Sequence, residues 1–206
     1  MALFVKKKDG NLSDVINEED IGFSAIENYF SKLHNEDVNP KRFYPKVAYR
    51  FGGIDPLDEV DVYICKDYYH FVTYGFSELY EKQSNINDIS GYGMEFTLML
   101  DKENITDDDL EDLYDLIQDI AKATFDEGEI FKEYDYIDFG DNIYSSRISG
   151  FIIVPDPLAK EISTLNGKVK FLLLVGVTKE DIENIKSKKI TVKDLYNTLG
   201  ELTYYK

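Results

Sequence analysis

Two stretches of the chain alternate apolar and polar side chains with the two-residue period of a half-buried strand. In the first stretch, Val60, Val62 and Ile64 alternate with more polar neighbours, and in the second Phe96 and Leu98 belong to a similar alternation. This period is typical of antiparallel strands with one face on a core and one face in water. Together with the Gly, Pro and Asp residues between the apolar runs, it predicts strands at 46–51, 60–65, 69–74, 94–100, 149–154 and 168–175.

Other segments carry apolar residues at helical spacing. Ser24 and Glu27 have the sequence of a capping box, and apolar residues follow at i, i+3, i+4 and i+7, which predicts a helix that ends near His34. A threonine at the N-cap position is the common start signal of the later helices. These three helices are predicted to begin after Thr106, Thr178 and Thr191 and to end near Gly128, Ile185 and Gly200.

The chain of 206 residues is 43% hydrophobic, which is enough to build one sizeable core. It contains no internal repeat, low-complexity tract or Pro/Gly/Ser-rich linker that would divide it. We therefore predict a single compact α+β domain over residues 16–206, with a central, mostly antiparallel sheet and helices packed on it. Residues 1–15 are polar and are predicted to form a flexible N-terminal segment. An acidic, aromatic loop is expected over residues 126–141.

The charge balance is strongly acidic. There are 23 Lys and Arg residues against 40 Asp and Glu residues, which gives a formal net charge of -17. Phosphate backbones would be repelled over most of such a surface, so we do not expect direct nucleic-acid binding. A field of this sign favours encounter with a basic protein. The alternative is that the acidity only keeps the protein soluble.

Cysteine use and hydropathy indicate the compartment. Cys65 is the only cysteine, so an intrachain disulfide is impossible, and we interpret it as an ordinary strand residue. The first ten residues place their apolar side chains before their lysines and do not resemble a signal peptide. The longest apolar run, 171–175, is far shorter than the roughly 18 residues needed to span a bilayer. These features predict a cytoplasmic protein without membrane association.

The two histidines offer little material for catalysis. His34 would lie at the C-terminus of the first helix, where a partly protonated imidazole complements the helix dipole. His70 could form a triad with Ser77 and an aspartate. However, the segment 75–79 has Leu79 where a nucleophile elbow needs its second glycine. We favour a structural role for these residues over an enzyme that uses His70 and carboxylates.

The run Asp107-Asp108-Asp109 resembles a cluster of hard-metal ligands. Consecutive helical residues point in different directions, and acidic residues in a first helical turn are already favoured by the helix dipole. The sequence contains no calcium-loop, phosphate-loop, zinc or paired-cysteine motif. We therefore expect no cofactor and no metal site.

Three stretches mix acidic and aromatic side chains, which is the composition of a protein-binding rim. Aromatic rings supply rigid contact area, and the flanking carboxylates can meet Lys or Arg on a partner. Solvated loops around a Tyr-rich core would have the same composition. The predicted contact residues in these stretches are Asp58, Glu59, Asp61, Tyr80, Glu81, Tyr134, Asp135, Tyr136 and Asp138.

Four sequence blocks occur in an order that resembles the suppressor-of-fused family. The blocks are VDVY at 60–63, HFVTYGFSELY at 70–80, GYGMEFTL at 91–98 and VKFLLLVGVT at 169–178. Together they span most of the chain, and they are specific in combination.

The resemblance implies a protein-binding module without catalysis. The animal member of the family sequesters a zinc-finger transcription factor by strand addition in a groove, whereas bacterial members act as immunity proteins that inactivate a toxin. The chain looks closer to the bacterial type, because it lacks the extra C-terminal domain and long insertion of the animal form. By resemblance, groove-lining positions fall on Phe71, where the animal protein has tyrosine, and on Glu95. Glu95 could instead be a solvent-facing strand residue.

Two functional hypotheses follow for a non-catalytic protein. The first is an immunity or antitoxin protein that covers the positively charged active site of a basic toxin, such as a nuclease. The second is an adaptor that holds an endogenous protein partner by strand addition.

Overall fold

The computed structural model describes residues 21–35 and 39–206. Within these ranges the chain forms four α-helices, nine β-strands and one short 3-10 helix. The N-terminal segment that was predicted to be flexible, residues 1–15, lies outside the described residues.

All nine described strands belong to one sheet. Seven of them follow the order β1-β2-β3-β4-β8-β6-β5, while β7 pairs with β8 and β9 pairs with β4. The pairs β4–β8 and β4–β9 are parallel and the other pairs in the described sheet are antiparallel, which confirms the predicted mostly antiparallel α+β fold. The strands are β1 (Lys41–Phe43), β2 (Glu59–Ile64), β3 (Tyr68–Tyr74), β4 (Ile89–Asp101), β5 (Tyr136–Asp138), β6 (Gly150–Pro155), β7 (Ile162–Thr164), β8 (Gly167–Val177) and β9 (Leu202–Thr203).

Helices cover both faces of the sheet. The four helices are α1 (Ile21–Leu33), α2 (Asp107–Glu127), α3 (Lys179–Lys186) and α4 (Val192–Leu199). On one face, α2 packs its apolar side chains against the even-numbered residues of the centre of β4. On the other face, α1 packs beside β2 and β3, while α3 and α4 pack beside β6 and β8. The result is a three-layer arrangement with the sheet in the middle.

The central strands are buried on both faces, so the prediction of half-buried strands was wrong for them. In β4 the side chains of Phe96 and Leu98 face α2, whereas Met99 packs with α3 and α4 on the other face. The polar residues of the alternation, including Glu95 and Thr97, are buried as well. Buried polar groups require hydrogen-bond partners, and the partners come from neighbouring strands and turns.

The predicted helix caps are confirmed for α2, α3 and α4. The Thr106 and Thr178 hydroxyls each accept a hydrogen bond from the amide three residues later, and the aspartate there bonds back to complete a capping box. Thr191 accepts the equivalent amide bond at α4. Gly128 ends α2 in a left-handed conformation with φ of 78°, as its position predicted.

Several boundaries were wrong. Ser24 lies inside α1 rather than at its N-cap. The segment predicted as a strand at 46–51 is a loop that contains the 3-10 helix Tyr49–Phe51, and the edge strand β1 comes before it. The predicted loop 126–141 contains β5, and the strands β7 and β9 were missed. Strands of two or three residues are too short to show a period in the sequence.

Candidate functional site

A buried carboxylate organises the turn that follows β3. Glu95 in β4 is fully buried and accepts hydrogen bonds from the Thr73 hydroxyl at 2.7 Å and the Ser77 hydroxyl at 2.6 Å. It also accepts the backbone N–H groups of Gly75 at 3.0 Å and Ser77 at 2.9 Å. Burial is the largest influence on this group and raises its pKa to about 7, while the hydrogen bonds from Ser77 and Thr73 oppose the rise.

Glycine is required at two positions, one in this turn and one in β4 where the strand packs against the turn. Gly75 has φ of +146°, and a Cβ there would lie 3.0 Å from the Cα of Leu57. Gly91 has φ of +55°, and a Cβ there would lie 2.7 Å from the carbonyl oxygen of Phe76. This close approach lets the amide of Tyr92 donate to the same Phe76 carbonyl at 2.9 Å. The two motif blocks are therefore held together by backbone contact that a side chain would prevent.

A second carboxylate, that of Glu78, fixes the loop after the turn. It accepts hydrogen bonds from Lys82 at 2.9 Å and from the amides of Gln83 and Ser84 at 2.7 and 2.5 Å. Against the opposing effect of burial, the bonds from Lys82, Ser84 and Gln83 lower the pKa of Glu78 to about 2. Glu78 therefore stays ionised and holds the loop in one conformation.

A surface groove of about 250 Å³ opens above this turn. The Arg50 guanidinium lies over the Tyr80 ring at 3.8 Å from its centroid and forms part of the wall, while Tyr92 and Phe125 contribute aromatic edges. Three of the predicted contact residues, Asp58, Tyr80 and Glu81, line this groove. A larger groove of about 690 Å³ lies on the other side of Tyr92.

The two positions assigned by family resemblance lie inside the molecule. Phe71 is fully buried in the core beneath α2, so it does not line an open groove. Glu95 supports the turn from below, and its interpretation as a solvent-facing strand residue is wrong. The carboxylate acts on the groove indirectly, through the backbone of Gly75 to Ser77.

Glu59 and Asp61 of β2 were predicted on a surface rim, but the structure buries both of them. Arg42 of β1 reaches between them, with its Nε atom 3.6 Å from Glu59 Oε1 and 3.5 Å from Asp61 Oδ1. The same guanidinium donates to Glu27 of α1 at 2.5 Å. Burial, together with Asp61, raises the pKa of Glu59 to about 8, and burial also raises the pKa of Asp61. These side chains join α1 to the sheet edge.

The remaining predicted contact residues lie at the opposite edge of the sheet. Tyr134 and Tyr136 are exposed on or beside β5, the last strand on the path that begins with β1. Asp135 accepts a hydrogen bond from the Lys132 amide, and Asp138 forms an ion pair with Lys186 of α3 that lowers its pKa. The predicted contact residues therefore do not form one continuous surface.

A partly buried chain of polar groups beside α1 was not predicted. His34 Nε2 lies 2.9 Å from His70 Nδ1, and His70 Nε2 lies 3.4 Å from Asp156 Oδ2. Cys65 Sγ lies 3.5 Å from His34 Nδ1, so Cys65 is not an isolated strand residue. His34 directly follows α1, Cys65 directly follows β2, His70 lies in β3 and Asp156 directly follows β6, and no local sequence pattern connects them.

The contacts of His34 and His70 contradict two expectations about these histidines. Burial and repulsion from His70 lower the pKa of His34 to about 4, so the imidazole is neutral and does not complement the α1 dipole as a cation. The Ser77 hydroxyl donates to Glu95 while His70 contacts His34 and Asp156, so the triad considered for His70 and Ser77 is not formed.

The acidic run at the start of α2 has structural roles. Asp109 completes the Thr106 capping box and binds Lys206 at 2.6 Å, while Asp107 binds Lys41 at 2.9 Å. Over residues 21–35 and 39–206, no group of three or more His, Cys, Asp or Glu side chains could hold a metal ion.

Membrane insertion has no candidate helix in the described part of the chain. None of its helices combines the length and the apolar character that are needed to cross a bilayer.

The fold and the carboxylate-held turn define a class of α+β domain in which a central sheet, covered on both faces, supports a groove at the end of β3. Comparison with known families is decisive. Residues 56–203 match the family described as Suppressor of fused protein (SUFU), and the chain belongs to this family. The recognition of the family from the four sequence blocks is therefore confirmed.

Individual relatives agree with this assignment. The chain is 27% identical to the suppressor of fused homologs of Homo sapiens and Mus musculus over 79% of its own length, and the match spans 37% of those proteins. A crystal structure of the Sufu-Fu complex has a TM-score of 0.77 at 21% identity and covers 91% of both chains. The Drosophila Suppressor of Fused crystal structure has the same TM-score and identity, with 91% of this chain and 50% of that chain covered.

Proposed function

We propose that this chain is a non-catalytic protein-binding module, and that it acts as a cytoplasmic immunity protein that binds and neutralises a basic toxin domain. The observation that carries the proposal is membership of the SUFU family over residues 56–203. A member of the same fold is known in complex with another protein, as the Sufu-Fu structure records. The large excess of acidic residues favours a basic partner.

Electrostatics support a basic partner. The net charge of -17 creates a field that raises the encounter rate with a positively charged protein and disfavours acidic competitors. A toxin that acts on nucleic acid carries a basic active site, and an acidic protein that covers this site blocks access to phosphates. Inhibition then requires no chemical step, only a stable complex.

The sharpest test is direct binding to the adjacent-gene product, the protein encoded by the gene next to the one that encodes this chain. An immunity protein and its toxin are expected to be encoded side by side. The purified chain is expected to bind this product and to suppress its toxicity on co-expression. Isothermal titration calorimetry at low and at physiological salt should show weaker but persistent binding at the higher ionic strength. Absence of binding at both salt concentrations would contradict the proposal.

A second candidate function is an adaptor that sequesters an endogenous protein by strand addition. It is favoured by the position of β5 at one end of the sheet, where Tyr136 is exposed. An edge strand offers backbone N–H and C=O groups to an incoming peptide, and the exposed rings of Tyr134 and Tyr136 could contact its side chains. The Phe139 amide donates to the Ser149 carbonyl in continuation of the β5–β6 pair, so alternate amides of β5 face β6 and the amide of Tyr136 faces the open edge. Replacing Tyr136 with proline would remove this outward-facing amide and should abolish adaptor binding, while leaving a partner docked elsewhere unaffected.

A further inference from the structure

Five large apolar side chains are exposed within a single stretch, residues 44–54, called here the 44–54 loop. They are Tyr44, Val47, Tyr49, Phe51 and Ile54, and the last two are 75% and 79% exposed. Single exposed apolar residues are common, but a group of this size on one segment marks an interaction surface.

The 44–54 loop has a defined backbone. The amides of Phe51 and Gly53 donate to the Ala48 carbonyl at 2.9 and 3.2 Å. Gly53 packs so closely that a Cβ would lie 1.9 Å from the Val47 carbonyl oxygen. The apolar side chains are therefore presented by a closed turn, and little conformational entropy is lost when a partner covers them.

The outer face of α2 borders this loop and is acidic. Its buried side chains face the sheet, and on the opposite side lie four exposed acids that define the α2 acidic ridge: Asp108, Glu111, Asp115 and Asp119. A groove of about 510 Å³ runs between the loop and the helix, with Tyr44, Val47 and Ile54 on one side and Tyr114 and Asp115 on the other.

Two local cations lie near the ridge. Lys46 lines the groove, and Lys122 binds Asp55 at 3.1 Å and Asp119 at 3.0 Å, which ties the residue after the loop to α2. The other three acids of the ridge form no ion pair with the described residues. Asp115 lies near Asp119, Asp55 and Asp112, and its pKa is raised by burial and by these carboxylates. A positive group placed beside Asp115 would relieve this repulsion.

We propose that the 44–54 loop and the α2 acidic ridge together form the docking surface for a basic protein partner. An apolar anchor side chain of the partner enters the groove beside Ile54, a second apolar side chain covers the exposed Phe51 ring of the same loop, and flanking Lys or Arg side chains lie over the ridge. The inference rests on the proposed function and deepens it by naming the contact surface. This surface is separate from the β5 edge, which lies at the far end of the sheet.

The first test uses synthetic helical peptides as probes. A lysine/leucine amphipathic peptide supplies both charge and apolar anchors, a lysine/serine peptide supplies charge alone, and a glutamate/leucine peptide supplies anchors with the wrong charge. Fluorescence anisotropy should rank the affinities in that order. If the glutamate/leucine peptide binds as tightly as the lysine/leucine peptide, or more tightly, the proposal is overturned.

Variants locate the binding surface. The double variant Phe51→Ser/Ile54→Ser should weaken binding of the lysine/leucine peptide by about tenfold or more, since it removes both apolar side chains that the partner would bury. The variant Glu111→Gln/Asp115→Asn should weaken it less, with most of the effect lost in high salt. The matched controls are Leu165→Ser, at an exposed apolar site on the β7–β8 turn, and Glu180→Gln, at an exposed acid of α3.

The decisive outcome is the contrast between these variants and the controls. Unchanged affinity in Phe51→Ser/Ile54→Ser, or equal losses in Leu165→Ser, would overturn the proposed surface. Self-association of the wild-type chain that Phe51→Ser/Ile54→Ser abolishes, measured by sedimentation velocity, would assign the surface to a second copy and would also overturn it. A third outcome would also overturn the proposal. If replacing Lys6, Lys7 and Lys8 with Gln tightens peptide binding, the N-terminus of the same chain competes with the peptide for the docking surface.

The adjacent-gene product separates this inference from the proposed function. If it binds the wild type and the Phe51→Ser/Ile54→Ser variant equally, the docking surface is wrong and the proposed function stands. If it does not bind the wild type, the proposed function fails, and the peptide measurements alone decide whether the surface accepts basic amphipathic segments.

Discussion

Glu95 accepts a hydrogen bond from the Ser77 hydroxyl at 2.6 Å, and this contact ties the middle of β4 to the turn after β3. The two residues are 18 positions apart and belong to different motif blocks. Because the carboxylate also accepts the Gly75 and Ser77 amides, one buried side chain sets the conformation of the whole turn. The groove above the turn therefore depends on a residue that no partner can touch.

Replacing Glu95 with Gln should destabilise the protein. Glutamine keeps the shape but offers one acceptor oxygen, so its amide N–H groups would face the donors that the second carboxylate oxygen now satisfies. We expect a loss of about 2–3 kcal/mol in the free energy of unfolding, measured by urea denaturation. The control Glu81→Gln, at an exposed position, should change stability by less than about 0.5 kcal/mol. Wild-type stability in the Glu95 variant would refute the role of the carboxylate.

Gly91→Ala should cost more than Gly140→Ala. Both glycines have positive φ, at +55° and +82°, so both variants carry the backbone strain of a left-handed residue, about 1–2 kcal/mol. Only the Cβ at position 91 would also meet a backbone atom, the Phe76 carbonyl oxygen at 2.7 Å; at position 140 nothing lies within 4 Å. Thermal unfolding should show a clearly larger drop in Tm for Gly91→Ala. Equal shifts would mean that the close approach of the two motif blocks is not required.

Arg42→Met should destabilise the protein by about 2–3 kcal/mol at neutral pH, a value reduced from that of a fully buried pair because Arg42 is partly exposed. The variant leaves Glu59 and Asp61 buried without their cation. Both carboxyl groups have raised pKa values, so the folded state holds their protons more tightly than the unfolded state does, and lowering the pH should restore part of the loss. Arg147→Met, at an exposed position, is the control. A deficit that grows as the pH falls would contradict this account.

His34 should make the fold sensitive to acid. Its pKa falls from 6.5 to about 4 on folding, so between these values the unfolded state binds more protons than the native state. The contribution of His34 to stability is therefore complete above about pH 6.5 and is lost as the pH falls towards 4. Urea midpoints measured from pH 4 to 7 should show a shallower acid loss in His34→Gln than in the wild type. Parallel pH profiles of the two proteins would contradict this prediction.

Glu95 should give the opposite dependence on pH. Its pKa rises from 4.5 to about 7 on folding, so the native state binds more protons between these values, and stability falls as the pH rises through this window. The difference in unfolding free energy between the wild type and Glu95→Gln should therefore become smaller as the pH rises from about 4.5 to about 7. A constant deficit over that range would show that the protonation of Glu95 does not change on folding.

Much of the fold could be predicted from local patterns. The α2 helix was placed by Thr106, Asp109 and Gly128, because caps are determined by neighbouring residues whose contacts are local. The strands β2, β3, β4, β6 and β8 were also placed, because each is long enough to show a period or a continuous apolar run. The short strands at both sheet edges were not, since two or three residues form a strand only when a longer partner is already in place.

The candidate site could be predicted only in part. The aromatic and acidic residues near Tyr80 were identified from composition, and they line the groove. The burial of Glu59, Asp61 and Glu95 was not anticipated, because alternation of polar and apolar residues is the same whether the second face meets water or another helix. The chain from Cys65 through His34 to Asp156 joins residues far apart in sequence, and only packing brings them together.

The sequence by itself determined the helix caps, the long strands, the acidic charge and the family, because each depends on local chemistry or on the order of motif blocks. The tertiary structure decided which polar residues are inside. It placed α1, α3 and α4 over the second face of the sheet, which turned expected surface carboxylates into buried groups that are ion-paired, as Glu59 and Asp61 are, or hydrogen-bonded, as Glu95 is. It also left the 44–54 loop outside the core, because the apolar face of α2 was already filled by the sheet.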